Sequence, residues 1–501
     1  MTRLTDQQVE LLARELAGRL GRGTSPAPPA GSHPSVGGQG AGGYDAAPLP
    51  VRPVSSLPIG SDGVFETLEQ CVAAARRAFT ELQQMTLAKR EEIIAAYRAA
   101  MRAQGADLAR QAWQETGLGR HEDKVVKNRL VTDKTPGTEA LRPDATSGDH
   151  GLTLTEWAPF GVIGAITPTT NPTSTIICNT IGMVAAGNAV VFNAHPSARR
   201  CSLATVRALN AAAAAVGAPP NLVTAVGLPT IETATALMHH KGINLLVVTG
   251  GPGVVKAAMK SGKRAVCAGP GNPPAVVDET ADLAKAGRDI VTGAGFDNNV
   301  ICVDEKQCFV TAPAADKLLE AMRAAGAYIA TQAEMRRLEK HIFSEIRGPR
   351  THGTINKDLV GKNPEVILAT IGVKVGPECR LVACEVPEDH PLVWSEQMMP
   401  VLPVVRVGNV ARAIELAQES EHGFGHSASM HSRDIDALSR MARVINTSIF
   451  VNNAPIVAGL GAGGEGFTSF TIASPTGEGM TTARTFSRQR RCVMVDHFRI
   501  V

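Results

Sequence analysis

Gly161-Val-Ile-Gly-Ala-Ile166, Ala189-Val-Val-Phe192, Leu222-Val-Thr-Ala-Val226, Leu245-Leu-Val-Val248 and Pro274-Ala-Val-Val277 are five short apolar runs rich in β-branched residues. Ala-rich helical windows separate them, notably at 198–216. Continuous apolar runs mark strands covered on both faces. Their alternation with helices predicts an open parallel sheet with right-handed crossovers, which binds ligands beyond the carboxyl ends of its strands. A nucleotide-binding domain is expected over this stretch. Downstream, the helical windows 314–327 and 410–419 and the strand-like Val401-Leu-Pro-Val-Val405 predict a second α/β domain. The last segment, Arg491-Cys-Val-Met-Val-Asp-His-Phe-Arg-Ile-Val501, alternates apolar and polar residues and reads as an unpaired strand. An open strand edge seeks a partner, so a homo-oligomer is expected, dimer or tetramer.

Upstream, the character of the chain changes. The 501 residues are 44% hydrophobic, ample for a large core, yet between positions 21 and 53 15 of 33 residues are Gly or Pro and only Arg22, Asp45 and Arg52 are charged. Such a segment buries too little apolar surface to offset its ordering entropy and is expected to be a flexible linker. It tethers a head, residues 1–20, in which Thr5-Asp6-Gln7-Gln8 fits a helix capping box and Val9, Leu12, Ala13, Leu16 and Leu20 form a narrow apolar stripe. A helix this short is marginal alone in water. Its stripe needs a surface on its own body, on a membrane or on another protein. Arg3, Arg14 and Arg19 interleave with Asp6, Glu10 and Glu15, unlike a lipid-binding face, and the long linker favours a groove on another protein.

Fifty Lys plus Arg against 47 Asp plus Glu give a net charge of +3, no footprint for nucleic acid. No window has the uncharged apolar length of a membrane span, and the first 20 residues lack the core of a secretion signal. The nine cysteines form no Cys-x-x-Cys pair of metal-site spacing, so reduced thiols and no metal are expected.

Two segments carry chemistry. Thr249-Gly-Gly-Pro-Gly-Val254 follows a strand and opens a helix, where Gly250 and Gly251 allow close backbone approach and the helix N-terminus attracts phosphate. Gly295-Phe-Asp-Asn-Asn-Val-Ile-Cys302 places a cysteine after a polar turn between the two sheets, a candidate nucleophile. Cys178, Cys201, Cys267 and Cys308 lie in apolar patterns and are expected to pack as small hydrophobes. No Cys–His spacing assigns a base.

Taken together, Thr167-Pro-Thr-Thr-Asn-Pro172, Asn193-Ala-His-Pro-Ser197, Thr249-Gly-Gly-Pro-Gly253, Phe296-Asp-Asn-Asn-Val-Ile-Cys302 and Glu396-Gln-Met-Met-Pro400 resemble the aldehyde dehydrogenases, specifically their CoA-acylating branch found with bacterial microcompartments. The resemblance spans residues 55–501. It implies an α/β fold of two open domains with a β-strand oligomerisation arm, preceded by the flexible helix and linker. The implied boundaries are 54–268 for cofactor binding, including part of the arm near 130–157, 269–455 for catalysis, and 456–501 for a return to the cofactor domain and a final oligomerisation strand.

The same resemblance implies Cys302 as nucleophile and Asn171 as the side-chain amide of an oxyanion hole, one position beyond the usual place, which Thr170 occupies. Thr167, Pro168, Asn193, His195, Thr249, Gly250, Gly251 and Glu396 are implied in cofactor binding, Glu396 at the ribose of the nicotinamide half. Where hydrolytic relatives carry a Glu general base, this chain reads Ala268-Gly-Pro-Gly271, with no carboxylate between Arg264 and Val277. Oxidation of a short aldehyde, propionaldehyde above others, to an acyl-CoA with NAD and coenzyme A is the implied activity. The rivals are a hydrolytic enzyme that releases the free acid and a non-catalytic shell-associated adaptor. In this reading, residues 1–20 dock on a shell protein and place the enzyme in the microcompartment lumen.

Overall fold

Side chains on the central strands point alternately into two different cores. Val190 and Phe192 face one apolar cluster while Ala189 and Val191 face another; Leu245 and Val247 are likewise opposed to Leu246 and Val248. Strands covered on both faces need apolar residues at every position, which explains the unbroken runs. The computed structural model describes residues 62–501. The expected head helix and linker lie outside the described residues.

The first sheet has six parallel strands in the order Val64–Phe65, Val223–Val226, Ala189–Asn193, Val162–Ile166, Leu245–Thr249 and Ala265–Ala268. Apart from Val64–Phe65, which comes first in the chain yet stands at one edge, chain order runs outward in both directions from Val162–Ile166, so the switch point lies between that strand and Leu245–Thr249, where an open α/β sheet leaves a ligand crevice. The second sheet has seven parallel strands ordered Ala327–Ala330, Leu381–Glu385, Val401–Val407, Gln307–Thr311, Pro274–Val277, Ser427–His431 and Ile449–Asn452.

Pro274–Val277 therefore belongs to the second sheet, on the catalytic side of the boundary implied at 268, and not to the first, as its position in the repeating pattern predicts. The fifth αβ strand of the first sheet is the short Ala265–Ala268, whose Cys-containing sequence carries too few residues to stand out from a loop. The helical windows at 198–216, 314–327 and 410–419 correspond to Arg199–Ala215, Ala312–Ala324 and Val410–Ser420.

The C-terminal strand is Ser487–Val495, longer at its start and shorter at its end than the sequence pattern predicts. It is also not unpaired. It runs antiparallel to Gly151–Pro159, which pairs in turn with Asp144–Gly148, making a three-stranded arm. Of the expected arm region near 130–157, residues up to Lys134 lie in the helix His121–Lys134. Of three helices that the sequence reading did not single out, Leu68–Leu82 packs on the first sheet, whereas Leu87–Thr116 and His121–Lys134 pack on each other and on the helix Pro172–Ala185. Among the described residues no helix is long and apolar enough to cross a membrane, and no group of three or more His, Cys, Asp or Glu is placed to hold a metal ion.

Candidate active site

The carboxyl ends of the first sheet's strands deliver Thr167 and Pro168, Asn193 to His195, and Thr249 to Gly251 into one cleft of about 650 Å³. A second cavity of about 340 Å³ holds Asn171, Ala268, Cys302 and Glu396. Pro168, His195, Thr249, Gly250, Gly251 and Pro252 line both, so the two are continuous. All ten residues singled out in the sequence are thereby gathered in one channel. Cys302 and Glu396 lie just before the strands Gln307–Thr311 and Val401–Val407. The channel thus runs between the carboxyl ends of one sheet and the amino ends of the other.

Three consecutive residues before the cysteine, Asp297, Asn298 and Asn299, have left-handed backbones with φ of 44°, 54° and 64°. Among non-glycine residues Asp and Asn tolerate this region best, because their short polar side chains bond locally. Here each is held. Asp297 accepts from the Arg120 backbone N–H at 2.7 Å and from Lys124 Nζ at 3.0 Å, and it also pairs with Lys127. Asn298 donates to the Gly361 carbonyl at 2.9 Å and to Asn363 at 2.7 Å. Asn299 donates to the carbonyls of Ala294 and Glu305. Lys306 Nζ, fully buried, donates to the carbonyl and the side chain of Asn299, both at 2.7 Å, and to the Ile301 carbonyl at 3.2 Å. The loop that presents Cys302 is clamped from both sides.

Cys302 is half-buried, and its environment raises the thiol to about 12. Burial is the main cause and the Glu396 carboxylate adds to it, whereas the Lys306 ammonium pulls the other way. Glu396 is itself raised above the usual carboxylate range by burial, opposed by Lys306 and by the Gly271 N–H, which donates to it at 3.4 Å. The remaining cysteines are buried except Cys492, which is exposed on the C-terminal strand.

Asn171 stands at the N-cap of the fully buried helix Pro172–Ala185, yet its side chain makes no capping bond. Its Nδ2 donates to Thr170 Oγ1 at 3.1 Å and its Oδ1 accepts from Lys127 Nζ at 2.7 Å. Thr170 and Asn171 both line the Cys302 cavity, and the carboxamide comes from Asn171.

The cleft has the features of an anion and nucleoside site. The Thr167 hydroxyl is buried without a partner, and a β-carbon at Gly251 or Gly253 would meet nothing, so the backbone there borders open space at the start of the helix Pro252–Met259. Thr249 is tied through its hydroxyl to Thr471, which donates to Asn179. His195 accepts the Ser197 N–H on Nδ1, and burial lowers its pKa, favouring the neutral imidazole. Asn193 is differently disposed from the other lining residues. Both ends of its carboxamide are engaged, accepting from Thr233 at 2.7 Å and donating to the Thr230 carbonyl at 3.5 Å. Asn193 therefore shapes the wall more than it offers a free donor.

Several contributors escaped the sequence reading. Arg120, Asp123, Lys124 and Lys127 stand at i, i+3, i+4 and i+7 on one face of His121–Lys134 and its N-cap, the spacing of an apolar stripe carried by charges. That periodicity was the available signal. His426 gave none: it is fully buried, with Nδ1 against Ser427 at 3.0 Å and Nε2 without a partner, and burial lowers it to about 4.

The sequence matches the family model "Aldehyde dehydrogenase family" over residues 60–471. It is 50% identical over 440 residues to the acetylating acetaldehyde dehydrogenase EutE of Salmonella typhimurium, covering 88% of this chain and 94% of that one. The fold is similar to the Rhodopseudomonas palustris propionaldehyde dehydrogenase crystallised with bound CoA and an acylated cysteine, at a TM-score of 0.84 and 49% identity, covering 87% of this chain and 99% of that one. It is similar also to a propionaldehyde dehydrogenase from the fucose utilisation bacterial microcompartment of Clostridium phytofermentans, at a TM-score of 0.85 and 45% identity, covering 88% and 100%.

Proposed function

We propose, from the premise that this chain belongs to the aldehyde dehydrogenase family, that it oxidises a short aldehyde, propionaldehyde in the first place, to its acyl-CoA. One observation carries the choice of acyl transfer over hydrolysis. Across the cavity that holds Cys302, residue 268 is an alanine, and the one carboxylate among the lining residues, Glu396, accepts the Gly271 N–H. Residue 268 therefore offers no carboxylate to activate water, and the thioester passes to a thiol.

The side chains divide the work. Deprotonated, the Cys302 sulfur bonds to the aldehyde carbon, and the carbonyl electron pair moves to oxygen as a thiohemiacetal alkoxide. Asn171 Nδ2 and the Cys302 backbone N–H are the donors for that oxygen; one such donor is typically worth about 10²- to 10³-fold in rate. A nicotinamide dinucleotide, when bound, supplies the hydride acceptor. Thr167, Pro168, Gly250, Gly251 and His195 would hold its nucleotide portion against Asn193, and Glu396 its nicotinamide ribose. Loss of hydride restores the carbonyl as a thioester on Cys302. Attack by the CoA thiolate on that carbon expels the Cys302 thiolate, so aldehyde, NAD+ and CoA thiol become acyl-CoA, NADH and a proton. If one channel serves both cofactors, NADH leaves before CoA enters.

The relative bearing bound CoA and an acylated cysteine supports an acyl-cysteine intermediate that meets CoA. The relative from a microcompartment supports a lumenal enzyme whose residues 1–20 dock on a shell protein, and the open arm supports a homo-oligomer. NADH formation by the purified protein, with and without CoA across two- to four-carbon aldehydes, tests the reading. Sustained turnover should require CoA and vanish in Cys302→Ala. Sustained turnover without CoA would establish the hydrolytic alternative instead.

A further inference from the structure

A carboxamide helps an oxyanion only with its nitrogen toward it; turned over, the same group repels the developing charge. What fixes Asn171 is therefore as important as Asn171 itself. An N-cap asparagine ordinarily spends its side-chain oxygen on backbone N–H groups of the first helical turn. Asn171 does not, and its oxygen instead accepts from Lys127 Nζ at 2.7 Å. A lysine ammonium carries three donors and no acceptor, so only the oxygen end of the carboxamide can face it. The nitrogen end is thereby turned to Thr170 Oγ1, on the wall of the Cys302 cavity.

Lys127 is well suited to that task. It is 1% exposed, and its charge is balanced by Asp297, which also holds Lys124. Asp297 in turn begins the left-handed turn that leads to Cys302. One ammonium thus touches both the amide and the loop of the nucleophile. We infer that Lys127 is a positioning residue that sets the hydrogen-bonding polarity of Asn171 and ties it to the Cys302 loop. The inference rests on the reading above, in which Asn171 donates to the oxyanion.

A double-mutant cycle on kcat for CoA-dependent NADH formation separates positioning from mere structural support. Asn171→Ala is expected to lower kcat about 10²-fold or more. Lys127→Met should lower it roughly 10- to 100-fold, with KM for NAD+ unchanged, because only the orientation of that donor is lost. With the amide already absent, Lys127 has nothing left to orient and Lys124 still holds Asp297, so the double variant should be no slower than Asn171→Ala within about twofold. Losses that multiply, or wild-type kcat in Lys127→Met, overturn the inference. Wild-type kcat in Asn171→Ala overturns the oxyanion assignment itself, a distinct failure. If Lys127→Met does not yield folded protein by circular dichroism, Lys127→Leu, which likewise has no donor, enters the same cycle under the same criteria.

Discussion

Gly271 stands against the backbone carbonyl of Cys302: a β-carbon at 271 would lie 2.8 Å from that oxygen and 3.0 Å from Cγ of His426. Neither neighbour has room to withdraw, since the His426 ring is fully buried and Lys306 clamps the loop just before Cys302. Gly271→Ala should displace the nucleophile by a fraction of an ångström or more while leaving both sheets intact. Misplacement of about 1 Å can cost on the order of 10²-fold, so a fall of about 10- to 100-fold in the stopped-flow NADH burst is expected. A wild-type burst rate would show that the loop absorbs a methyl group.

Ala268 borders the cavity of Cys302, and in the reading proposed above it takes the place of the hydrolytic enzymes' Glu. Ala268→Glu should open a route to water. In the absence of CoA the parent enzyme is expected to release about one NADH per active site and stop, whereas the variant turns over continuously to the free acid. Product analysis with NADH counting checks this, and a variant that also stops after one NADH removes residue 268 as the determinant.

Burial and the Glu396 charge hold the Cys302 thiol near 12, so its thiolate fraction in the cofactor-free enzyme grows about tenfold per pH unit throughout pH 7 to 10. Alkylation by iodoacetamide, measured in a Cys492→Ser background that removes the exposed thiol, should follow that slope without levelling. An ordinary cysteine, with a pKa of about 8.5, levels off within the same range. Removing a negative neighbour lowers a thiol pKa, so Glu396→Gln should speed alkylation at pH 8 while weakening NAD+ binding. A plateau below pH 9 would contradict the buried-thiol picture.

Val493 and Val495 on the outer strand of the three-stranded arm are 56% and 61% exposed. Paired substitution to lysine should convert the proposed homo-oligomer to smaller species by light scattering, with the thermal midpoint of the body little changed. An unaltered mass would place the subunit contact elsewhere.

Much of this architecture was legible because strands buried on two faces leave no choice of residue, as in Leu245–Thr249. Pro274–Val277 has the same composition yet lies in the other sheet, because partner choice depends on where the chain turns at Ala268-Gly-Pro-Gly271 and not on the strand's own residues. The channel-lining residues were legible through ordered motifs with glycine, asparagine and cysteine at set spacings. Their supports were not. Lys124 and Lys127 look like solvent-facing charges in a polar helix, and only the arrival of Asp297, 170 residues later, makes their burial tolerable. Asn193 shows the converse: its place in the motif was readable, but the Thr230 and Thr233 side of its bonding was not.

The left-handed turn at Asp297–Asn298–Asn299 ties chemistry to completion of the chain. Its backbone is unfavourable alone, by roughly 1–2 kcal/mol per residue, and its restraints come from Arg120 to Lys127 upstream and from Gly361 and Asn363 downstream. Arg120 and Asp123 are fastened in turn by the Cys379 carbonyl and Arg380. A translation product that stops between Lys306 and Gly361 would contain every atom of Cys302 and its loop, yet lack the downstream braces, Gly361 and Asn363 on the loop and Cys379 and Arg380 on the residues that hold it. Catalytic activity is therefore a readout of finished synthesis, and fragments carrying the nucleophile should be inert even where they are soluble.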